Sequence, residues 1–281
     1  MLRIVTDSTA DIPLEQAREV GVRIVPLKVF FGDECYRDWV ELTPEQFYEK
    51  LKSSPVMPRT SQPSPEDFLD TYRQFHPGDE IISIHISRQL SGTLQSAELA
   101  QKMLPEREIQ CFDSLQASVG LRLQVLEAAR AAKEGCSKEE VLRLLKHYRD
   151  HSRVYFVVDT LEYLHKNGRI GKAKTLLGGL LKVKPLLCLE QGVIGPVEQA
   201  RGWKKAVQRL IELMEADLSG AKAIKALVAH AVVPEEAEKI KAEIQERLQP
   251  REITTASIGA VIGSHVGPGV VGVVAAPAFE P

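Results

Sequence analysis

Residues 80–97 read EIISIHISRQLSGTLQSA. The first seven have the β-branched, apolar composition of a strand, and the run breaks at Ser91-Gly92-Thr93, two hydroxyls around a glycine, where a helix begins. A strand feeding a helix is the repeating unit of a parallel sheet, and the same alternation appears on both sides. Upstream, LRIVTD and VRIVPLKVFF are strand-like runs flanking a helix from about Pro13 to Val20, with Asp11 as its cap and Gly21 as its stop. Downstream come the strand IQCFD and the helix QASVGLRLQVLEAARAAKEG. This pattern predicts an α/β fold with a parallel sheet covered by helices. Between the second strand and residue 80 lie a hairpin arm around DECYRDWVEL and two helices. These open alike, with Thr43, Pro44, Gln46 and with Ser64, Pro65, Asp67.

The helix SKEEVLRLLKHYRDH closes this region, and a domain boundary is expected near Ser152, giving units 1–151 and 152–281. The second unit holds VYFVVD, a short helix LEYLHK, the turn NGRIG and a hairpin turning at Gln191-Gly192. Two further helices, KKAVQRLIELMEADL and PEEAEKIKAEIQERL, flank the strand AIKALVAHAV. Two closing strands, ITTASIGAVI and GVVGVVAAP, are expected with GSHVGPG as the loop between them. The second domain therefore reads as α/β or α+β with a mixed sheet.

Bulk composition narrows the function. The chain has 281 residues, 44% of them hydrophobic and 26% charged, with 36 basic and 38 acidic side chains spread along it. No basic stripe exists to hold a nucleic acid backbone. The opening apolar run is too short for a signal peptide, and no apolar stretch approaches the roughly 18 residues of a membrane span. A cytoplasmic protein is expected. Cys35, Cys111, Cys136 and Cys188 form no CxxC pair and read as buried thiols.

The start of a helix offers free N–H groups and the positive end of its dipole, so Ser91, Gly92 and Thr93 could hold an anion. Alternatively, Ser91 only caps the helix. The position favours a ligand, because parallel sheets bind at the carboxyl ends of their strands. TDST at 6–9 and FDS at 112–114 end two more strands, which suggests a shared polar crevice. RTSQPSP at 59–65 is hydroxyl-rich but is also an ordinary stiffened turn. His265, in GSHVGPG, lacks the paired spacing of a metal ligand. A serine hydrolase or phosphotransferase using Ser91 and His265, with Asp7 or Asp113 as the acid, is the alternative from another class. QLSGT, however, lacks the first glycine of a nucleophile elbow. Arg169 and Arg201 flank turn glycines and read as solvated side chains. LLGGLLKVKPLLCL at 176–189 could line an apolar pocket, but such leucine-rich runs read first as core.

Six segments in order, VTDSTADIP, PRTSQPSPEDF, ISRQLSGTLQSA, FDSLQAS, DTLEYLHKNGRIGKA and GSHVGPGVVG, resemble the DegV family of bacterial lipid-binding proteins over essentially the whole chain. The resemblance implies a two-domain α/β fold that binds one long-chain fatty acid and does not itself catalyse. It implies presentation of the lipid to a separate ATP-dependent fatty acid kinase, with no cofactor and no membrane contact beyond transient lipid exchange. By motif, Thr60, Ser91 and His265 resemble the residues around the carboxylate, with Gly92 and Thr93 beside them. Arg201 resembles an arginine that faces the kinase.

Overall fold

The computed structural model describes residues 1–178 and 183–280. Strand β1 (Leu2–Asp7) leads through a short 3-10 turn at Ser8–Ala10 into α1 (Leu14–Val20), and β2 (Val22–Val25) returns parallel to β1. β3 (Lys28–Phe31), β4 (Glu34–Arg37) and β5 (Arg59–Ser61) form a small antiparallel sheet in the order β4-β3-β5, with α2 (Pro44–Ser53) between its last two strands. There follow α3 (Pro65–Arg73), β6 (Glu80–His85), α4 (Thr93–Met103), β7 (Ile109–Asp113), α5 (Val119–Lys133) and α6 (Lys138–His151). The parallel sheet runs β2-β1-β6-β7. The remaining chain gives β8 (Arg153–Val157), α7 (Glu162–Lys166), a 3-10 turn at Gly171–Leu176, β9 (Val183–Glu190), β10 (Val193–Arg201) and α8 (Trp203–Asp217). β11 (Ile224–His230), α9 (Pro234–Leu248), β12 (Glu252–Ser257), α10 (Ala260–Val266) and β13 (Val271–Pro277) complete it. Its sheet, ordered β10-β9-β8-β13-β11-β12, is mixed: β11 and β12 are parallel and every other neighbouring pair is antiparallel.

Alternating side chains divide the packing. On β6, Ile82 and Ile84 face the main core, while Ile81 meets α3 and α4 on the other face of the sheet. α5 lies between the two large sheets, against β1 and β6 on one side and β11 and β13 on the other. It is accordingly buried nearly all round. Some of its buried polar atoms are partnered: Gln124 Nε2 donates to the Ser114 carbonyl at 3.1 Å, and Glu127 receives Lys225 Nζ at 2.6 Å, whereas Gln124 Oε1 and Arg122 Nε have no partner among the described residues. α8 and α9 cover the outer face of the mixed sheet.

Local signals behaved as their chemistry dictates. Thr43 with Gln46, and Ser64 with Asp67, form reciprocal capping boxes, and Gly21 ends α1 at φ 78°. Several expectations need correction. VRIVPLKVFF is two strands in two sheets, because Pro26 has no N–H to continue the ladder. Asp11 does not cap α1, whose first residue follows Pro13; it reaches across to residues 118 and 259 instead. ITTASIGAVI ends as a strand at Ser257, and His265 lies on helix α10 rather than in a loop between strands. The cysteines are free, but Cys35 is exposed and the other three are half-buried. Of LLGGLLKVKPLLCL, residues 179–182 lie outside the described residues, while Leu186 and Leu187 are core.

Candidate functional site

The carboxyl ends of the parallel strands are polar, as expected, but most of their groups bond to one another or to nearby backbone, the Thr6 hydroxyl being the exception among the described residues. Asp7 Oδ2 takes the Ile86 N–H at 3.1 Å, Ser8 Oγ takes the Leu27 N–H at 3.0 Å, and Ser114 Oγ donates to the His85 carbonyl at 2.6 Å. TDST and FDS therefore tie the strand ends together and do not line the adjacent cavity. An Asp-His-Ser relay does occur here. His85 Nδ1 lies 2.9 Å from Asp7 Oδ2 and its Nε2 lies 2.7 Å from Ser83 Oγ, which also receives the Tyr72 hydroxyl at 2.8 Å. All four side chains are fully buried, so the relay is a packed polar network with no surface for a substrate.

The cavity, about 260 Å³, opens where the small sheet, the start of α4, the NGRIG turn and α10 converge. Thr60, on β5, reaches His265 of α10, with Oγ1 and Nε2 2.8 Å apart. Ser91 lies on the same rim; its Oγ is 2.8 Å from Thr93 Oγ1 and receives the Thr93 N–H at 3.3 Å. Arg169 is also on the rim, its guanidinium steadied by the carbonyls of Leu90 at 3.3 Å and Asn167 at 2.9 Å. It has no carboxylate partner among the described residues. Away from this rim the walls are apolar: Val119, Val154, Phe156, Ala229 and Gly272 among them, drawn from both large sheets' surroundings.

Electrostatics assign the formal charge to Arg169. Burial, and then the nearby Arg169 guanidinium, push His265 down to about 4, so the imidazole is neutral at pH 7. Its Nδ1 has no hydrogen-bond partner among the described residues. This histidine therefore stands as a neutral hydrogen-bonding group beside the Arg169 cation.

The structure brings Thr60, Ser91 and His265 together on one rim. Gly92 and Thr93 stand behind it: Thr93 is buried, and a Cβ on Gly92 would collide with the Gln62 amide, so this glycine accommodates a neighbouring side chain. Arg201 is exposed at the end of β10 and does not line the cavity. Arg169, which the sequence presents as a solvated turn side chain, is exposed but stands on this rim. Its signal was the turn itself, since Gly171 (φ 53°) packs directly on the Ile194 carbonyl and presses the loop against β10. Ser91 and His265 do not form a nucleophile–base pair in this geometry: Ser91 is bonded to Thr93 and His265 to Thr60, and no acid partners the imidazole Nδ1 among the described residues. Asp113 is paired with Arg88 at 2.9 Å. No group of three or more potential metal ligands occurs among the described residues, and no helix there is long and apolar enough to cross a membrane.

Comparison with known proteins agrees with this architecture. The model of the DegV family, described as uncharacterised proteins, matches residues 1–278. A DegV domain-containing protein of Halalkalibacterium halodurans is 40% identical over 273 residues, 96% of each chain. A solved structure described as the fatty acid binding of a DegV family protein from Thermus thermophilus superimposes with a TM-score of 0.93 at 40% identity, covering 98% of this chain and 99% of that one. A stearic acid-binding protein from Eubacterium ventriosum has a TM-score of 0.91 at 29% identity, with 99% of both chains covered. Matched along nearly its whole length by family model, sequence and fold, this chain belongs to the DegV family.

Proposed function

We propose that the chain binds one long-chain fatty acid, with the carboxylate at Thr60, Ser91, Arg169 and His265 and the acyl chain in the cavity. It presents this lipid to a separate ATP-dependent fatty acid kinase. The carrying observation is the cavity's polarity: hydroxyls, an imidazole and a cation at one rim, and apolar walls elsewhere. Relatives described as fatty acid binding share the fold. The volume exceeds the roughly 150 Å³ that holds a benzene ring. Burying about 14 methylenes at roughly 0.8 kcal/mol each gains on the order of 11 kcal/mol before the losses of association. An unpartnered carboxylate would forfeit several kcal/mol or more of that gain, so the head must sit at the polar rim.

The division into a 1–151 unit and a 152–281 unit belongs to this proposal, since both contribute to the rim, Thr60 and Ser91 from the first and Arg169 and His265 from the second, and both to the apolar wall. Arg201, exposed and away from the rim, is available to a kinase. The direct test is the Thr60→Ala, Ser91→Ala double variant, which should fold normally yet lose most co-purifying fatty acid. Retention equal to the wild type rejects the head-group assignment.

A further inference from the structure

Helix α10 carries His265 but starts without a cap from its own sequence. Its first amides are held by two carboxyls more than 200 positions away. Asp11 Oδ1 accepts the Gly259 N–H at 2.9 Å, and Asp38 Oδ1 accepts the next one, Ala260, at 3.1 Å. Both acids are buried, and Asp11 Oδ2 is further held by Ser118 Oγ at 2.5 Å. A side chain at 259 would place its Cβ 2.8 Å from Asp11 Oδ1 and against the Trp39 indole nitrogen, so glycine lets the carboxyl reach the backbone. At the other end, Asn167 Nδ2 donates to the Ser264 carbonyl at 2.8 Å, and the Asn167 carbonyl receives Arg169. A seven-residue helix of this kind has little stability alone. Its placement is therefore set by these contacts.

We propose that Asp11 and Asp38 are positioning residues of the head-group site: by holding the amides of the N-cap Gly259 and of Ala260, the first residue of α10, they fix the reach of His265 to Thr60, and so the geometry offered to a carboxylate. The ligand part rests on the fatty-acid reading; the placement of His265 does not. The surroundings favour a neutral Asp38. Burial and the neighbouring Asp11 hold it well above the usual carboxylate range, and its Oδ2 has no partner among the described residues. Burial likewise raises Asp11 to about 7 against the hydrogen bonds and Arg122 that oppose it. Burial, and then the charges of Asp11 and Asp38, hold the Tyr48 hydroxyl of α2 well above its usual range. An asparagine at 38 preserves the acceptor, and an alanine removes it.

The experiment uses the full-length chain and two readouts: the Kd for palmitate, and the NMR titration of the His265 imidazole without ligand. Asp38→Ala should weaken palmitate about tenfold, the scale of one lost helix cap, and return His265 from about 4 toward 6.5. Asp38→Asn should match the wild type in both. Should Asp38→Ala fail to fold, Ala260→Pro removes the donated N–H at a position where proline suits a helix start, and should move His265 in the same way. An unmoved His265 titration in Asp38→Ala, or in Ala260→Pro where Asp38→Ala does not fold, overturns the proposal, even if the unfolding temperature falls. So does an Asp38→Asn variant as impaired as the alanine. Failure of wild-type protein to bind palmitate would defeat the fatty-acid reading alone, leaving the imidazole titration to decide this one.

Discussion

Gly272 offers a graded test of where the acyl chain lies. In register across the mixed sheet stand Phe156 on β8, Gly272 on β13 and Ala229 on β11, and all three line the cavity. The space above the sheet exists because two of the three are small. A Cβ at 272 would lie 3.2 Å from Phe156 Cβ and 3.7 Å from the Tyr155 carbonyl, tight but without backbone collision, and Gly272 has no positive φ. Gly272→Val therefore keeps the strand and fills the cavity with three carbons. Excluding about three methylenes of ligand at roughly 0.8 kcal/mol each removes about 2.4 kcal/mol, on the order of 50-fold in Kd. Isothermal titration of delipidated protein with palmitate and with laurate gives the readout. Palmitate should lose about this much and laurate far less, with the unfolding temperature lowered modestly by crowding at Phe156. Equal losses for both acids, or none, would refute placement of the tail against this row.

Arg169→Gln should weaken fatty acid binding about tenfold, near the lower end for a charge-assisted hydrogen bond because the side chain is exposed. It should also raise the His265 titration, since the guanidinium is one cause of its depression; an unchanged imidazole contradicts the rim geometry. His265 itself makes stability depend on pH. Its folded value of about 4 lies below the ordinary 6.5, so the unfolded chain binds more protons between them, and stability falls as pH drops through that window. Urea unfolding of the wild type should lose of the order of 3 kcal/mol more than His265→Gln between pH 7 and pH 4; identical slopes would reject a buried neutral imidazole. Arg201→Ala should spare lipid retention and impair phosphorylation when a fatty acid kinase and ATP are supplied; loss of lipid instead would place Arg201 at the cavity.

What could be read from the sequence follows the range of the forces involved. The two capping boxes and the alternating strands are local, set within a few residues, and their pattern is visible in the chain. Helix α10 is not: AVIGSHV contains a glycine that weakens a helix and β-branched residues that favour a strand, and its start is held by Asp11 and Asp38 from 222 or more positions away. The rim has the same character. Thr60 and His265 meet across 205 positions, so no spacing rule links them, and only the resemblance of six ordered segments brought them forward together. Arg169 resembled a solvated turn residue because its partners are carbonyls, which leave no complementary charge in the sequence.

In the proposed complex a greasy tail is enclosed between the two sheets, with its acidic end on the Thr60–Ser91–Arg169–His265 rim. Denaturing extraction of the chain purified from cells, with mass spectrometry of the organic phase against protein quantity, tests it most directly. Close to one equivalent of a long-chain fatty acid is expected. Lipid-free extracts from repeated preparations, together with no uptake of palmitate by the same protein, would contradict it.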